Sequence, residues 1–175
     1  MSHFCVYVFT DTDMHDKTEV DELLAPYNEQ DESFFEFVPL SEDEIKVNME
    51  FGSYASEEEM IDDYNLCRDK NGHICTWENQ NAKWDWYQIG GRWKNGIKKA
   101  DGTFTNQCRV CEMENNPLRP FAMVTSDGVW DECGQMGWFA ISDATDDSKE
   151  AFNKRFQQYV KEHPQEIVTV VDCHI

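Results

Sequence analysis

The sequence predicts an α+β fold, in which a mixed and largely antiparallel sheet carries helices mainly on one face. Two apolar segments rich in β-branched and aromatic residues, 3–10 (HFCVYVFT) and 167–175 (IVTVVDCHI), are typical of buried strands. An apolar stripe at helical spacing predicts an amphipathic helix over 148–162. A turn signal at 126–128 (SDG) between two apolar segments predicts a hairpin. This mixture of strands, hairpins and helices favours one sheet with helices packed on it.

Between the first strand and residue 70, the pattern predicts three short helices and one further strand. The first helix covers 17–24, and the second follows Ser41, which forms a capping box with Glu44. The third covers 57–66 and is acidic in its first turn, as the helix macrodipole favours. The additional strand is expected over 33–38.

The second half of the chain supplies the rest of the predicted sheet. The segment 73–96 is dense in aromatic residues and glycine and has no helical pattern. Turn residues at 99–102 predict another hairpin. A strand over 137–142, the helix over 148–162 and the last strand have the order of a right-handed crossover. A ferredoxin-like split βαβ core fits this order.

The chain is strongly acidic, and its charge is unevenly distributed. It has 35 Asp and Glu against 15 Lys and Arg, a net charge of −20, and 20 of the acidic residues lie within 1–70. This balance excludes direct nucleic-acid binding by phosphate neutralisation and disfavours docking on an anionic membrane. No apolar segment approaches the roughly 20 residues that span a bilayer, and the start lacks the basic region of a signal peptide. We therefore expect one soluble, intracellular domain over 1–175, with an acidic half (1–70) and a block rich in Trp, Gly and Arg (77–96).

The acidic half allows two interpretations. Solvated acidic helices keep a protein soluble without binding a partner. Alternatively, a dense negative surface imitates a nucleic-acid backbone for a basic protein. The third predicted helix carries the candidate partner-binding residues, which are Glu57, Glu58, Glu59, Asp62 and Asp63.

The seven cysteines are an odd number without a secretion signal, which favours reduced thiols over a disulfide framework. Cys108 and Cys111 have zinc-knuckle spacing, but a structural zinc site needs four ligands and no second CxxC is present. Cys133, Cys173 and His174 complete such a site only where the fold brings them together. Cys108 and Cys111 are thus the metal candidates, and the sequence predicts no cofactor.

The segment 83–93 (KWDWYQIGGRW) is the least ordinary part of the sequence. On a strand, Trp84 and Trp86 fall on one face, and Asp85 and Tyr87 fall on the other. Aromatic rings stack on a base and an arginine fork binds phosphate, so this composition suits a nucleotide-like ligand. The candidate ligand-binding residues are Trp84, Trp86, Tyr87, Arg92 and Trp93. In the alternative interpretation the tryptophans fill a core and the arginine pairs with a nearby acid.

The last strand carries the candidate catalytic residues Asp172 and His174, which share one face and can act together or with Arg92. Cys173 falls on the opposite face, so it cannot form a Cys–His pair with His174 there. The alternative is a buried polar pair or a salt bridge at the end of the chain. The remaining histidines, which have no metal-ligand spacing, are His3, His15, His73 and His163.

Four segments resemble a family of proteins that is encoded mostly by tailed bacteriophages and prophages. They are 83–93 (KWDWYQIGGRW), 134–143 (GQMGWFAISD), 168–175 (VTVVDCHI) and 23–29 (LLAPYNE). The resemblance implies a small phage protein in the cytoplasm of the bacterial host, accessory to virion structure. It implies no activity and no residue roles, and the CxxC at 108–111 is not part of it.

Three functions follow as hypotheses. The favoured one is a phage accessory protein that inhibits a bacterial defence system by binding. Its partner is either a defence protein such as a CRISPR effector, met by the acidic half, or a nucleotide-type signal, held around 84–93. The alternatives are a small enzyme acting on a phosphorylated or nucleotide substrate, and a structural or regulatory phage protein without a ligand. Binding is favoured because no set of residues supplies a nucleophile, a base and an orienting group together. The sequence is also compatible with a homo-oligomer.

Overall fold

The computed structural model describes residues 2–11, 17–114, 119–137 and 141–175. The chain divides into two compact units. Met1–Asn28 and Lys83–Ile175 form the first, which we call the sheet unit, and Glu29–Ala82 form the second, which we call the acidic unit. The acidic unit has 15 Asp and Glu against three Lys and Arg. That the two units belong to a single domain over 1–175, as the sequence predicts, remains a prediction.

The described ranges contain four α-helices and eleven strands. The helices are α1 (Lys17–Leu24), α2 (Glu42–Gly52), α3 (Glu57–Asp63) and α4 (Asp146–Glu162). The strands are β1 (His3–Thr10), β2 (Glu36–Pro39), β3 (Cys67–Arg68), β4 (Ile74–Glu78), β5 (Trp86–Ile89), β6 (Ile97–Lys98), β7 (Phe104–Thr105), β8 (Gln107–Arg109), β9 (Ala122–Val124), β10 (Trp130–Glu132) and β11 (Ile167–His174). The α+β class predicted from the sequence is therefore confirmed. No helix in these ranges is both long enough and apolar enough to cross a membrane.

Several predicted elements are confirmed with small shifts at their ends. The capping box of Ser41 and Glu44 begins α2, and the two predicted hairpins are β6–β7 and β9–β10. β2 starts three residues later than predicted, because the side chain of Asp31 caps a 3-10 turn over Glu32–Phe34. The predicted strand over 137–142 includes 138–140, which lie outside the described residues.

The sheet unit is built around a six-stranded sheet. Its strands follow the order β10-β9-β1-β11-β5, and β8 also pairs with β11. β9 is parallel to β1, whereas the other pairs are antiparallel, so the sheet is mixed and largely antiparallel as predicted. In a split βαβ core another strand separates the two parallel strands, whereas β1 and β9 are direct neighbours. The order of strands thus differs from that of a ferredoxin-like core.

β1 and β11 form the centre of the sheet, and both faces of this pair are buried. Every residue of β11 is buried, as is every residue of β1 after His3. One face of β1 packs Tyr7 and Phe9 against α4, and the other packs Val6 and Val8 against α1. The expectation of helices mainly on one face is therefore wrong. A strand that is apolar on both faces has to be shielded from water on both, and here α1 packs on one face and α4 on the other.

The acidic unit has a smaller sheet in the order β2-β4-β3, together with α2 and α3. Its fully buried side chains include Met60 and Cys75, whereas Phe37, Phe51 and Trp77 are exposed. Three large aromatic side chains of this unit are therefore accessible to solvent or to a partner.

Candidate functional site

Three polar side chains lie together at one end of the central strand pair. His3 on β1 and His174 on β11 are partners in the antiparallel register, and Asp172 lies two residues before His174. Side chains two residues apart on a strand share a face, so all three project toward the face that α4 covers. Asp172 and His174 are 2% and 4% exposed, which is rare for such polar residues unless they are hydrogen-bonded.

His3 and Asp172 form the first of two histidine–carboxylate pairs. Nδ1 of His3 lies 2.8 Å from Oδ1 of Asp172. The other oxygen, Oδ2, accepts a hydrogen bond of 2.8 Å from the backbone N–H of Arg92. The carboxylate is therefore hydrogen-bonded through both of its oxygens. Because Nδ1 of His3 is engaged, Nε2 is the nitrogen of this ring for which no hydrogen bond to a described residue is recorded.

The backbone at Gly91 makes this arrangement possible. Gly91 has φ of +48°, and a Cβ there would lie 2.4 Å from Oδ2 of Asp172. Only glycine leaves room for the carboxylate beside the backbone and adopts this conformation without strain. The turn that follows β5 thus delivers the Arg92 N–H directly to Asp172.

His174 and Asp85 form the second pair. Nδ1 of His174 lies 2.6 Å from Oδ1 of Asp85, and the same oxygen accepts from the Trp86 N–H at 2.8 Å. The indole of Trp86 stacks on the His174 ring, with the centroids 5.0 Å apart and the planes 18° from parallel. Nε2 of His174 is buried, and no described residue hydrogen-bonds to it.

The two pairs are in contact through their rings. The His3 and His174 rings pack edge to face with centroids 5.0 Å apart, and His3 meets Trp86 in the same way at 5.4 Å. Two histidines, two carboxylates and an indole therefore form one cluster of titratable and aromatic groups.

A cavity of about 420 Å³ opens beside His3, and we call it the histidine cavity. Its apolar lining includes Trp93, Phe121 and Phe152, and its cationic lining is Arg119 and Lys149. Arg119 and Lys149 are exposed. Lys149 Nζ lies 3.9 Å from Oδ1 of Asp146, whereas no ion pair is recorded for Arg119 among the described residues. The cavity thus combines aromatic walls, positive charge and one histidine.

Two thiols of the cavity lining are held in the neutral form. Burial, and then the nearby Asp172 carboxylate, raise the pKa of Cys5 to about 12. Burial also raises the pKa of Cys133. Because the thiolate is the nucleophilic form, neither cysteine is suited to nucleophilic catalysis at neutral pH.

The structure separates the tryptophans that the sequence placed together. Trp84 is buried on the α1 side, where its Nε1–H donates to the Leu24 carbonyl at 3.2 Å and its ring packs against Tyr87. Trp86 lies on the opposite face, against His174. The expectation that Trp84 and Trp86 share a face is wrong, because the chain bends at Asp85 and β5 begins only at Trp86.

The remaining candidates from the same block take different places. The side chain of Arg92 is exposed, and only its backbone N–H reaches Asp172. Trp93 lines the histidine cavity, so it is the one predicted ligand residue placed there. The hydroxyl of Tyr87 is buried without a hydrogen-bond partner in the described part of the chain.

Asp172 and His174 share a face as predicted, but they are not paired with each other. Sequence reasoning missed His3, Arg119 and Lys149. His3 had a signal, since it is a polar residue at the edge of an otherwise apolar strand. No motif or spacing in the sequence marked the two cations.

The acidic candidates of α3 are exposed, and several of them are engaged locally. Glu57 and Glu58 both contact Arg68, at 2.8 and 3.1 Å. Glu59 accepts from the Ala55 N–H, and Asp63 accepts from the Tyr54 hydroxyl. Asp62 is also exposed. Part of the charge of this helix is thus compensated inside the acidic unit.

All seven cysteines, which lie within the described ranges, are free thiols. Cys108 is buried and its pKa is raised to about 11, first by burial, whereas Cys111 is exposed. Among the described residues no three His, Cys, Asp or Glu side chains are grouped closely enough to hold a metal ion.

Comparison of the chain with models of known protein families, with curated proteins and with solved structures finds no match.

Proposed function

We propose that the protein binds a small anionic ligand of nucleotide type in the histidine cavity. The observation that carries this proposal is the lining, which sets Arg119 and Lys149 at an apolar space bounded by Trp93 and Phe121. A guanidinium fork and an ammonium group suit a phosphate, and aromatic walls suit a base. The volume of about 420 Å³ lies within the range of about 300–1,000 Å³ typical of ligand pockets.

The biological role that we propose follows from the resemblance to phage proteins. Binding a nucleotide-type signal of a bacterial defence system would lower its free concentration in the infected cell. Tight binding alone would be enough for this inhibition. The neutral thiols of the cavity agree with a role that does not involve covalent capture by cysteine.

The test is a thermal-shift screen of mononucleotides, cyclic nucleotides and dinucleotides, followed by calorimetry on any ligand that raises Tm. We expect Arg119→Ala and Lys149→Ala each to weaken binding at least tenfold. The matched controls are Arg92→Ala and Lys154→Ala, which remove exposed cations that do not line the cavity. Equal losses in the controls and the cavity variants, or no stabilisation by any nucleotide, would contradict the proposal.

A second candidate function, binding of a basic protein, rests on the acidic unit. Phe37 on β2 and Trp77 on β4 are 53% and 45% exposed, and their ring centroids are 4.4 Å apart. Directly beside them Glu36 and Glu78 are cross-strand partners, and like charges in such a position are unfavourable in the free protein. A partner that presents Lys or Arg would relieve this repulsion and stack its cations on the exposed rings.

The second candidate is tested with purified CRISPR effectors and their DNA cleavage as the readout. We expect wild-type protein to inhibit cleavage by an effector that it binds, and inhibition to weaken steeply with salt. Trp77→Ala should remove inhibition, as should reversal of charge at Glu36 and Glu78. Phe51→Ala, which removes another exposed aromatic side chain of the same unit, is the control. Salt-independent inhibition, or inhibition that survives Trp77→Ala, would argue against this surface.

A further inference from the structure

We propose that His3 is a catalytic residue, acting as general base and then general acid in the hydrolysis of a phosphodiester bond of the bound ligand. This inference rests on the proposed function, since the substrate is an anionic ligand of the histidine cavity. It goes beyond binding because it assigns a reaction, a proton-carrying atom and an orienting carboxylate.

The first argument is the position of His3. It lines the cavity, and its side chain is 11% exposed, so that a ligand in the cavity can reach it. Nδ1 is bonded to Asp172, which leaves Nε2 as the nitrogen that can exchange a proton with a ligand or a water molecule. A histidine whose second nitrogen is held by a carboxylate has a fixed tautomer and a fixed ring orientation.

The second argument is the rigidity of Asp172. Its carboxylate is 2% exposed, and Oδ2 accepts from the Arg92 N–H at 2.8 Å. Gly91 leaves the space for this contact. Asp172 does not line the cavity, so we assign it as a positioning residue that acts through His3.

The third argument is the placement of positive charge. Arg119 and Lys149 line the same cavity as His3, so a phosphodiester held by them lies within the space that His3 borders. These cations would stabilise the negative charge that grows on the phosphoryl oxygens as the nucleophile attacks. Charge stabilisation and proton transfer are thus available at one site.

The step balances with water as the only co-reactant. Nε2 of His3 takes a proton from water as the water oxygen forms a bond to phosphorus. The bond between phosphorus and the leaving oxygen then breaks, and the imidazolium returns the proton to that oxygen. The products are a phosphomonoester and an alcohol, and His3 is again neutral.

His174 is not assigned this role, although its Nε2 is buried and unpartnered in the described part of the molecule. It does not line the cavity, and its Nδ1 is bonded to Asp85. The His174 ring contacts the His3 ring edge to face and so restricts its orientation.

The experiment uses bis(p-nitrophenyl) phosphate, cyclic dinucleotides and linear dinucleotides as probes. Binding is measured by calorimetry, and product formation is measured by absorbance or anion-exchange chromatography. We expect hydrolysis by the wild type, and a fall in kcat of about 10²- to 10⁴-fold in His3→Asn. An asparagine amide can keep the hydrogen bond to Asp172 but offers no group at the position of Nε2, so ligand binding should be kept.

Two further variants separate catalysis from structure. Asp172→Asn should lower kcat more than it changes KM, because it disturbs the tautomer of His3 and leaves the cavity lining intact. His73→Asn is the control, since His73 also pairs with an aspartate, Asp69, but is exposed in the acidic unit. It should hydrolyse at the wild-type rate.

Each result decides between the two proposals. Binding of a probe without hydrolysis overturns the catalytic proposal and leaves the proposed binding function in place. Hydrolysis that is unchanged in His3→Asn overturns the assignment of His3. The absence of both binding and hydrolysis with every probe overturns both proposals.

Discussion

His3 and His174 face each other across β1 and β11, yet each is hydrogen-bonded to a different aspartate. His3 pairs with Asp172 from β11, and His174 pairs with Asp85 from the loop before β5. The two histidines therefore have different surroundings only 5.0 Å apart, one beside a cavity and one enclosed. This asymmetry is the reason that we assign proton transfer to one and a supporting role to the other.

The close approach of Gly91 to Asp172 predicts that Gly91→Ala is strongly destabilising. The new Cβ would lie 2.4 Å from Oδ2 of Asp172, in addition to the cost of a positive φ. Gly102→Ala is the control, because Gly102 has φ of +86° and open space around its Cβ position. We expect about 1–2 kcal/mol from the backbone in the control and a clearly larger loss at Gly91. Urea denaturation measures both losses, and equal values would contradict the close packing at Asp172.

Removal of the hydroxyl group is expected to have different effects on the free energy of unfolding at two core tyrosines. Tyr7 is fully buried and its hydroxyl has no partner in the described ranges, so Tyr7→Phe should be neutral or stabilising. The Tyr159 hydroxyl donates to Glu166 at 2.9 Å and accepts from the Ser126 N–H at 3.1 Å. Tyr159→Phe should therefore lower the free energy of unfolding by about 1–3 kcal/mol. A loss at Tyr7 as large as that at Tyr159 would show that Tyr7 has an unseen partner.

The buried Cys5 thiol predicts loss of stability in alkaline solution. Burial raises the pKa of Cys5 from 9.0 to about 12 in the folded protein. Between these values the unfolded chain has lost the thiol proton and the folded chain has kept it, so the free energy of unfolding falls as pH rises. One such group contributes a slope of about 1.4 kcal/mol per pH unit. Cys5→Ala should make the fall between pH 9 and 12 shallower by that amount in chemical denaturation at each pH.

Trp84 and Trp93 allow the structural role of the tryptophan-rich segment to be separated from the proposed ligand-binding role. Trp84 is 6% exposed and donates to the Leu24 carbonyl, so Trp84→Phe should lower stability and leave ligand affinity unchanged. Trp93 lines the histidine cavity, so Trp93→Ala should weaken nucleotide binding several-fold. Calorimetry and urea denaturation on both variants check the pair of expectations. If Trp84→Phe lowered the affinity for the nucleotide without lowering the free energy of unfolding, Trp84 would belong to the binding site and the separation would be wrong.

Local sequence patterns determined most of the elements of this protein. The apolar runs of β1 and β11, the capping box at Ser41 and the hairpin turns depend on neighbours within a few residues, so the sequence predicts them directly. The shared face of Asp172 and His174 is likewise a consequence of strand alternation.

Only the tertiary structure determined which residues form the candidate site. Arg119, Lys149 and His3 are far apart in the sequence, and only the order of strands and the packing of α4 bring them to one cavity. The bend at Asp85 reversed the expected faces of the tryptophans, because alternation holds only within an unbroken strand. The pairing of each histidine with its own aspartate depends on the strand register and on the turn at Gly91. The local sequence pattern predicts neither the register nor this turn.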